Sequence, residues 1–98
     1  KISFNYKKTI LDQNLSNING VSFTSRELDI IAIIIHNRGE KKIASLLNIS
    51  PKTVSSHIHN IMRKISCGSR EQVIDFIEKS GKLSYVKQYY INTLIFNL

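Results

Sequence analysis

The sequence predicts an all-α fold of four short helices followed by an additional C-terminal helix. Residues 50–65 carry Val54, Ile58, Ile61 and Ile65 at the spacing of one apolar helical stripe. Capping motifs open the helical segments, and Asn or Gly residues end them. The apolar content of 42% over 98 residues is ordinary for one globular domain with a modest core, which excludes a disordered tail.

The first helix has the clearest start signal. Thr24 and Glu27 have the spacing of a capping box, in which each side chain bonds the backbone N–H of the other residue. Phe23 and Leu28 flank this box as a hydrophobic staple. The isoleucine-rich segment that follows predicts a helix buried on more than one side. It should end just before Asn37, which tolerates a positive φ.

The second helix is short and is expected over residues 40–47. Ala44, on its inward side, is small enough to let another helix cross closely. After a tight turn, Ser50 is a favourable N-cap, and Pro51 occupies the first helical position, where its missing N–H is harmless. The third helix should then continue to about Ser66.

A second capping box, formed by Ser69 and Gln72, predicts the start of the fourth helix, and Gly81 ends it. Residues 83–98 predict a fifth helix with apolar side chains on more than one side. Two interpretations of this tail stay open, because it could cover the core of its own domain or form a dimer interface.

The chain divides into three parts on these signals. Residues 1–22 are Asn-rich at their end and are expected to be a linker or the tail of a preceding domain, with Ile2, Phe4 and Tyr6 weakly indicating one short strand. Residues 23–81 hold the four-helix domain. Residues 82–98 hold the C-terminal helix, a candidate dimerisation element.

The outward face of the third helix differs from an ordinary solvated face. The helix contains no carboxylate, whereas a solvated face usually mixes in acidic residues for pairs with lysine or arginine. Hydroxyls, imidazole, amide and cations suit contact with phosphates and base edges. The side chains on this face are Lys52, Ser55, Ser56, His59, Asn60 and Arg63.

The overall charge supports a polyanionic partner. Lys and Arg number 14 against 7 Asp and Glu, which gives a net charge of +7 and a pI near 9.8. Such a balance favours nucleic acid or an anionic membrane surface. Two short helices joined by a tight turn, the second with a basic polar face, form a helix-turn-helix, which favours double-stranded DNA.

Several other classes of function find no support in the residues. The single Cys67 excludes an internal disulfide and makes a reducing, cytoplasmic compartment the expectation. His57 and His59 point about 200° apart on a helix and cannot share a metal ion. No catalytic grouping is visible, so neither an enzyme nor a cofactor is expected. The chain starts with Lys1 and shows no membrane span or signal peptide, and we expect it to be a piece of a longer protein.

Residues 23–72 resemble the LuxR-type (GerE-like) helix-turn-helix domain of bacterial transcriptional regulators. The resemblance starts at FTSRE, continues through KIASLLNISPKTVSSHIHNIMRKI without a gap, and ends at SRE. It implies a four-helix domain whose third helix reads the major groove, usually as a dimer on a two-fold-related site. It further implies an N-terminal receiver or ligand-sensing domain and a homodimer contact through helix four, which the C-terminal helix, outside the resemblance, would extend or replace. A place at the bacterial nucleoid and RNA polymerase as a further candidate partner are also expected.

The resemblance also assigns roles by position. Ser55, Ser56 and His59 fall where the family reads bases, while Thr53 and Lys64 fall where it contacts phosphate. Arg26 and Glu27 fall at positions that brace the fold. Lys42 stands where the family usually has Glu. Placement on the helix and charge add further residues to both sets. The candidate base readers are Ser55, Ser56, His59 and Asn60. The candidate phosphate contacts are Lys52, Thr53, Arg63, Lys64, Lys41 and Lys42.

A helical protein-interaction or dimerisation module is the alternative from another class. It would use the apolar tail and the fourth helix, with the basic face idle. Salt separates the two, since DNA binding weakens steeply with ionic strength and apolar docking does not. An RNA-binding domain lacks the aromatic sheet surface that such domains use.

Overall fold

The computed structural model describes residues 15–95 and confirms the all-α fold with its C-terminal helix. The expected strand near the N-terminus and the last three residues of the predicted tail helix lie outside the described residues. The elements are β1 (Asn17–Ile18), β2 (Val21–Ser22), α1 (Ser25–Ile35), α2 (Glu40–Leu47), α3 (Pro51–Lys64), α4 (Arg70–Lys79), α5 (Leu83–Tyr89) and a π-helical segment (Tyr90–Ile95).

A small β-hairpin precedes the helices, in the described part of the expected linker. β1 and β2 pair antiparallel with Ile18 opposite Val21. Asn19 and Gly20 turn the chain with φ of 54° and 85°, as a tight hairpin turn of the Asn-Gly type requires. Leu15 and Ile18 are fully buried. The hairpin therefore contributes side chains to the core of the helical domain.

Helix α1 is the centre of the fold. Its predicted capping box is confirmed: Thr24 Oγ1 accepts from the Glu27 N–H at 3.1 Å, and Glu27 Oε1 accepts from the Thr24 N–H at 2.9 Å. Every other helix and the π-helical segment pack against α1. Five consecutive residues from Ile30 to Ile34 are buried as a result, which explains why apolar residues surround this helix.

Helices α2 and α3 form the predicted helix-turn-helix. Asn48 ends α2 in the left-handed region with φ 55° and ψ 48°. Ser50 then caps α3 by accepting from the Thr53 N–H at 3.1 Å, with Pro51 at the first helical position. The apolar stripe of α3 is buried at Val54, Ile58 and Ile61. The opposite side of α3 is therefore directed away from the core.

The second predicted capping box is only half correct. Ser69 Oγ accepts from the Gln72 N–H at 3.2 Å, as a box requires. Gln72 Oε1, however, accepts from the Gly68 N–H at 2.7 Å instead of the Ser69 N–H. Ser69 is extended, with φ −149°, and the N–H that meets the amide is one residue earlier. The Ser69 cap still determines that α4 begins at Arg70.

The tail packs on α1 and completes the core of the same chain. Val86, Tyr89, Tyr90 and Leu94 are at most 7% exposed. The Tyr89 hydroxyl donates to Asp29 of α1. Burial raises the pKa of the Asp29 carboxyl, and the Tyr89 hydrogen bond and the nearby Arg26 charge only partly oppose that rise.

The outer side of the tail keeps some apolar surface. The Tyr90 ring stacks on His36 with centroids 3.7 Å apart, so this part of the π-helical segment faces α1. Tyr85, Ile91 and Ile95 are exposed by 38%, 39% and 43%. The tail thus covers its own domain, one of the two interpretations, and still carries three apolar side chains on the surface.

Candidate nucleic-acid interface

The outward side of α3 forms a shallow groove of about 390 Å³. Helix α3 contributes no carboxylate to this surface, and all but one of the lining residues are exposed. All four candidate base readers and one candidate phosphate contact line the groove together. The lining residues are Lys52, Ser55, Ser56, His59 and Asn60.

The N-terminal turn of α3 is held firmly by its cap. Thr53 Oγ1 lies 2.9 Å from Ser50 Oγ, so one of the two hydroxyls donates a hydrogen bond to the other in addition to the backbone capping bond. Thr53 is exposed beside the positive end of the helix dipole. Its position therefore combines a hydroxyl and a partial positive charge, which suits an anionic oxygen.

Ser55 has a partner that the sequence did not reveal. Its hydroxyl donates to Oε1 of Glu40, in the first turn of α2, at 3.0 Å. Glu40 is the single acidic residue between residues 40 and 64. The two residues are 15 positions apart, so only the crossing of α2 over α3 brings them together. The acidic residue in the first turn of α2 was the one available signal.

Asn60 and Arg63 form a pair at the other end of the groove. Arg63 Nη2 donates to Asn60 Oδ1, which leaves the amide N–H groups of Asn60 for other partners. A second groove of about 440 Å³ begins beside this pair, and His59 lines both grooves. The lining residues of the second groove are His59, Met62, Arg63, Cys67 and Gly68.

Two candidate phosphate contacts lie on α2. Lys41 and Lys42 are exposed in the first turn of that helix, where Gly39 provides no side-chain cap. Cations at this end oppose the helix dipole by about 0.3–1 kcal/mol each. Their unfavourable placement is consistent with contact to an anion outside the domain.

Lys64 is engaged inside the fold. Its Nζ donates to Glu27 Oε1 at 2.6 Å and to the Ser22 carbonyl at 3.0 Å, and it lies 5.7 Å from the centre of the Phe23 ring. The Glu27 side chain is only 6% exposed and that of Lys64 is 36% exposed. Two of the three ammonium N–H groups are used, so the phosphate contact predicted for Lys64 stays a prediction and depends on the third.

The pKa of Glu27 shows how this pair is balanced. Burial pushes the pKa of the Glu27 carboxyl upward. The Lys64 hydrogen bond, the Thr24 backbone N–H and the charges of Lys64 and His57 together push it down further, so the net pKa lies below its usual value. Glu27 is thus held ionised in the core, as a bracing residue that ties α1 to the end of α3.

Other kinds of site are not apparent in residues 15–95. There, no three His, Cys, Asp or Glu side chains are placed to hold a metal ion. No helix in that range is both long and apolar enough to cross a bilayer. Cys67 is half-buried, and its Sγ lies 3.7 Å from the Ser69 carbonyl oxygen.

Comparison with known proteins identifies relatives of the helix-turn-helix segment. The nitrate/nitrite response regulator protein NarP of Escherichia coli (strain K12) is 42% identical over 59 residues, which are 59% of this chain and 27% of NarP. The spore germination protein GerE of Bacillus subtilis (strain 168) is 37% identical over 60 residues, 61% of this chain and 81% of GerE.

A further relative shows how much longer some of these proteins are. The oxygen regulatory protein NreC of Staphylococcus carnosus (strain TM300) is 32% identical over 74 residues, 76% of this chain and 34% of NreC. The chain thus spans about a quarter to a third of the length of NarP and NreC. Solved structures gave no significant match.

The family profile described as "Bacterial regulatory proteins, luxR family" matches residues 21–77. This match begins in the β-hairpin, includes α1, α2 and α3, and ends within α4. It covers more than half of the 98 residues, including the whole groove on α3. The chain therefore belongs to the luxR family of bacterial regulatory proteins, which are DNA-binding transcription regulators.

Proposed function

We propose that this domain binds double-stranded DNA with sequence preference, with α3 lying in the major groove. The observation that carries the proposal is the exposed groove on α3. Four polar side chains and Lys52 line this groove, and α3 itself has no carboxylate. The major groove of B-DNA is wide enough to admit an α-helix, and each base pair presents there a distinct pattern of donors and acceptors.

The side chains divide by the part of DNA that they would meet. Ser55, Ser56, His59 and Asn60 all line the groove. In the proposed complex, Ser55, Ser56 and His59 face base edges, with Asn60 at the margin. Cations and the capped N-terminus of α3 hold the register by contacting phosphates on either side. The proposed phosphate contacts are Lys52, Thr53 and Arg63 on α3, Lys41 and Lys42 on α2, and the third N–H of Lys64.

The whole protein is proposed to be a bacterial transcriptional regulator acting at the nucleoid. NarP and NreC are named for responses to nitrate or nitrite and to oxygen, and this chain corresponds to only part of each. A sensory domain N-terminal to the expected linker at residues 1–22 would supply the signal in such an arrangement. RNA polymerase is a further partner that a regulator of this kind would contact.

The domain is further proposed to act as a homodimer on two-fold-related half-sites. Helix α4 and the outer side of the tail are the elements available for the contact. Tyr85, Ile91 and Ile95 keep apolar surface exposed although the rest of the tail is buried. This surface is also the observation that favours the alternative, a helical protein-interaction module without DNA readout.

Salt dependence separates DNA binding from apolar docking. With five cations on phosphates, the affinity for duplex DNA should fall about 500-fold between 50 and 200 mM salt. The double variant Lys41→Gln/Lys42→Gln should reduce the magnitude of the slope of log K against log salt by about 1.8, because each phosphate contact contributes about 0.9. Fluorescence anisotropy with a labelled duplex selected from a random pool measures both quantities.

The control for this experiment is Lys79→Gln/Lys87→Gln, which makes the same charge change at exposed positions on α4 and α5. Its slope should equal that of the unsubstituted domain. A slope near zero would contradict DNA binding and support the protein-interaction module. Equal binding to the selected duplex and to random DNA would contradict sequence preference.

The dimer proposal predicts an effect of charge on the outer side of the tail. Ile91→Asp/Ile95→Asp should raise the dimer Kd about tenfold or more, because an apolar contact worth about 1.4 kcal/mol or more is replaced by two facing charges. Sedimentation equilibrium on the domain with a two-fold-symmetric duplex measures the change. The control is Ser84→Asp, which adds a charge at an exposed position on α5, outside the π-helical segment. Equal dimerisation in all three proteins would refute the contact.

A further inference from the structure

The bond between Ser55 and Glu40 has a fixed direction. Ser55 Oγ lies 3.0 Å from Glu40 Oε1. A glutamate carboxylate offers acceptor oxygens only. The Ser55 hydroxyl must therefore be the donor, and the bond is of the charge-assisted kind that is stronger than a bond between neutral groups.

This direction changes what Ser55 offers to a partner in the groove. A serine hydroxyl has one proton to donate and two lone pairs to accept with. An unbonded serine turns its proton towards any base edge, and for that reason it discriminates poorly among bases. In this domain the proton is already directed at Glu40, so the groove meets only the lone pairs of the oxygen.

We propose that Glu40 is a specificity-determining positioning residue, which makes Ser55 an acceptor-only reader of a base that carries an amino group. In the major groove, the amino donors are N6 of adenine and N4 of cytosine, while guanine and thymine present acceptors there. Ser55 accordingly selects adenine or cytosine at the position it faces. The inference rests on the proposed placement of α3 in the major groove.

The packing around the pair keeps the two residues together when DNA is bound. Ala44 and Leu47 of α2 are buried, as are Val54 and Ile58 of α3, so the crossing of the two helices is part of the core. Glu40 and Ser55 both lie on the exposed side of that crossing. Displacement of water by DNA lowers the local dielectric and strengthens the bond between them.

The negative charge of Glu40 has a separate effect that must be distinguished. A carboxylate beside Lys41 and Lys42 weakens attraction to phosphates on every sequence alike. Removing it should raise the affinity for all duplexes together. Preference between bases at one position is unaffected by such a uniform change, so this preference is the quantity that tests the role of Glu40.

The test starts from the duplex that the unsubstituted domain selects from a random pool. The position at which Ser55→Ala loses its preference is the base faced by Ser55. We expect the unsubstituted domain to favour adenine or cytosine there by about 2- to 13-fold over guanine or thymine, the range for one net hydrogen bond. Glu40→Ala should abolish that preference, and Glu40→Ala/Ser55→Ala should show no further loss.

The matched control is Glu71→Ala, which removes an exposed glutamate from the first turn of a different helix. It should keep the full preference. A duplex that carries a base analogue without the exocyclic amino group at this position should bind the unsubstituted domain more weakly by the same factor. The affinity of Ser55→Ala should be the same for both duplexes. Circular dichroism melting of each variant verifies that it is folded before binding is compared.

The outcomes separate this inference from the proposed function. Selective binding with the same preference in Glu40→Ala and in the unsubstituted domain would overturn the role of Glu40 and leave the proposed function intact. A preference for guanine or thymine at the Ser55 position would overturn acceptor-only reading. Binding without any sequence preference would overturn the proposed function and this inference with it.

Discussion

Deleting residues 82–98 is expected to unfold the domain. Val86, Tyr89, Tyr90 and Leu94 are buried against the rest of the chain, and burial of such side chains contributes roughly 1.5–3 kcal/mol each. The loss of roughly 6–12 kcal/mol is comparable with the whole stability of a small domain, about 5–15 kcal/mol. Urea unfolding followed by circular dichroism should show no cooperative transition in the truncated protein.

Two point substitutions test separately a buried and an exposed position of the tail. Tyr90→Ala should cost about 3–5 kcal/mol, because it removes a buried aromatic ring that stacks on His36. Ile91→Ser, at an exposed position in the same segment, should change stability by less than about 0.5 kcal/mol. A truncated domain that melts like the full chain would show that the tail is dispensable for the fold and available for assembly alone.

Lys64→Met is expected to destabilise the domain by about 2 kcal/mol at pH 7. The substitution keeps an apolar stem of similar length but leaves the buried Glu27 carboxylate without its ammonium partner. Removing one partner of a fully buried ion pair costs about 3–5 kcal/mol. The expected loss in the free energy of unfolding is lower for this pair because the Lys64 side chain is 36% exposed and water screens part of the interaction.

The pH dependence gives this prediction a second readout. The pKa of Glu27 in the folded protein lies below its usual value. Its ionisation therefore stabilises the fold at pH values above the unfolded pKa of about 4.3, and this contribution is lost as the pH falls through the lower folded pKa. In Lys64→Met the hydrogen bond and charge that lower the pKa of Glu27 are lost, so burial raises this pKa relative to the unsubstituted domain. The variant should therefore lose less stability between pH 7 and pH 3 than the unsubstituted domain does.

The control for Lys64→Met is Lys79→Met, an exposed lysine in the last turn of α4. Its urea midpoint should match that of the unsubstituted domain at both pH values. Equal stability of Lys64→Met and the unsubstituted domain at pH 7 would refute the bracing role. A salt slope for DNA lowered by about 0.9 in folded Lys64→Met would show that its third N–H also contacts phosphate.

Local signals account for the parts of the fold that the sequence predicted well. Thr24, Ser50 and Asn48 act through backbone groups within a few residues, so their effects on helix ends can be identified from the sequence alone. Helix α2 has the predicted bounds for this reason. The candidate base readers lie in one groove because a helical repeat determines which side chains share a face.

The contacts that the sequence did not predict join residues far apart in the chain. Ser55 and Glu40 are 15 positions apart, and Lys64 and Glu27 are 37 apart, so each pair depends on how two helices cross. The resemblance assigned Lys64 a surface role, whereas the crossing gives it a partner in the core. The change to π-helical geometry at Tyr90, where the ring stacks on His36, is likewise not encoded by regular apolar spacing.

The packing of the tail on α1 has a consequence for synthesis on the ribosome. Asp29 and its partner Tyr89 are 60 residues apart, and translation at about 5–20 residues per second separates their appearance by about 3–12 s. During that interval, the isoleucines of α1 lack the side chains that finally cover them. The nascent chain therefore exposes its most apolar helix for seconds, a period in which a holding chaperone could bind it.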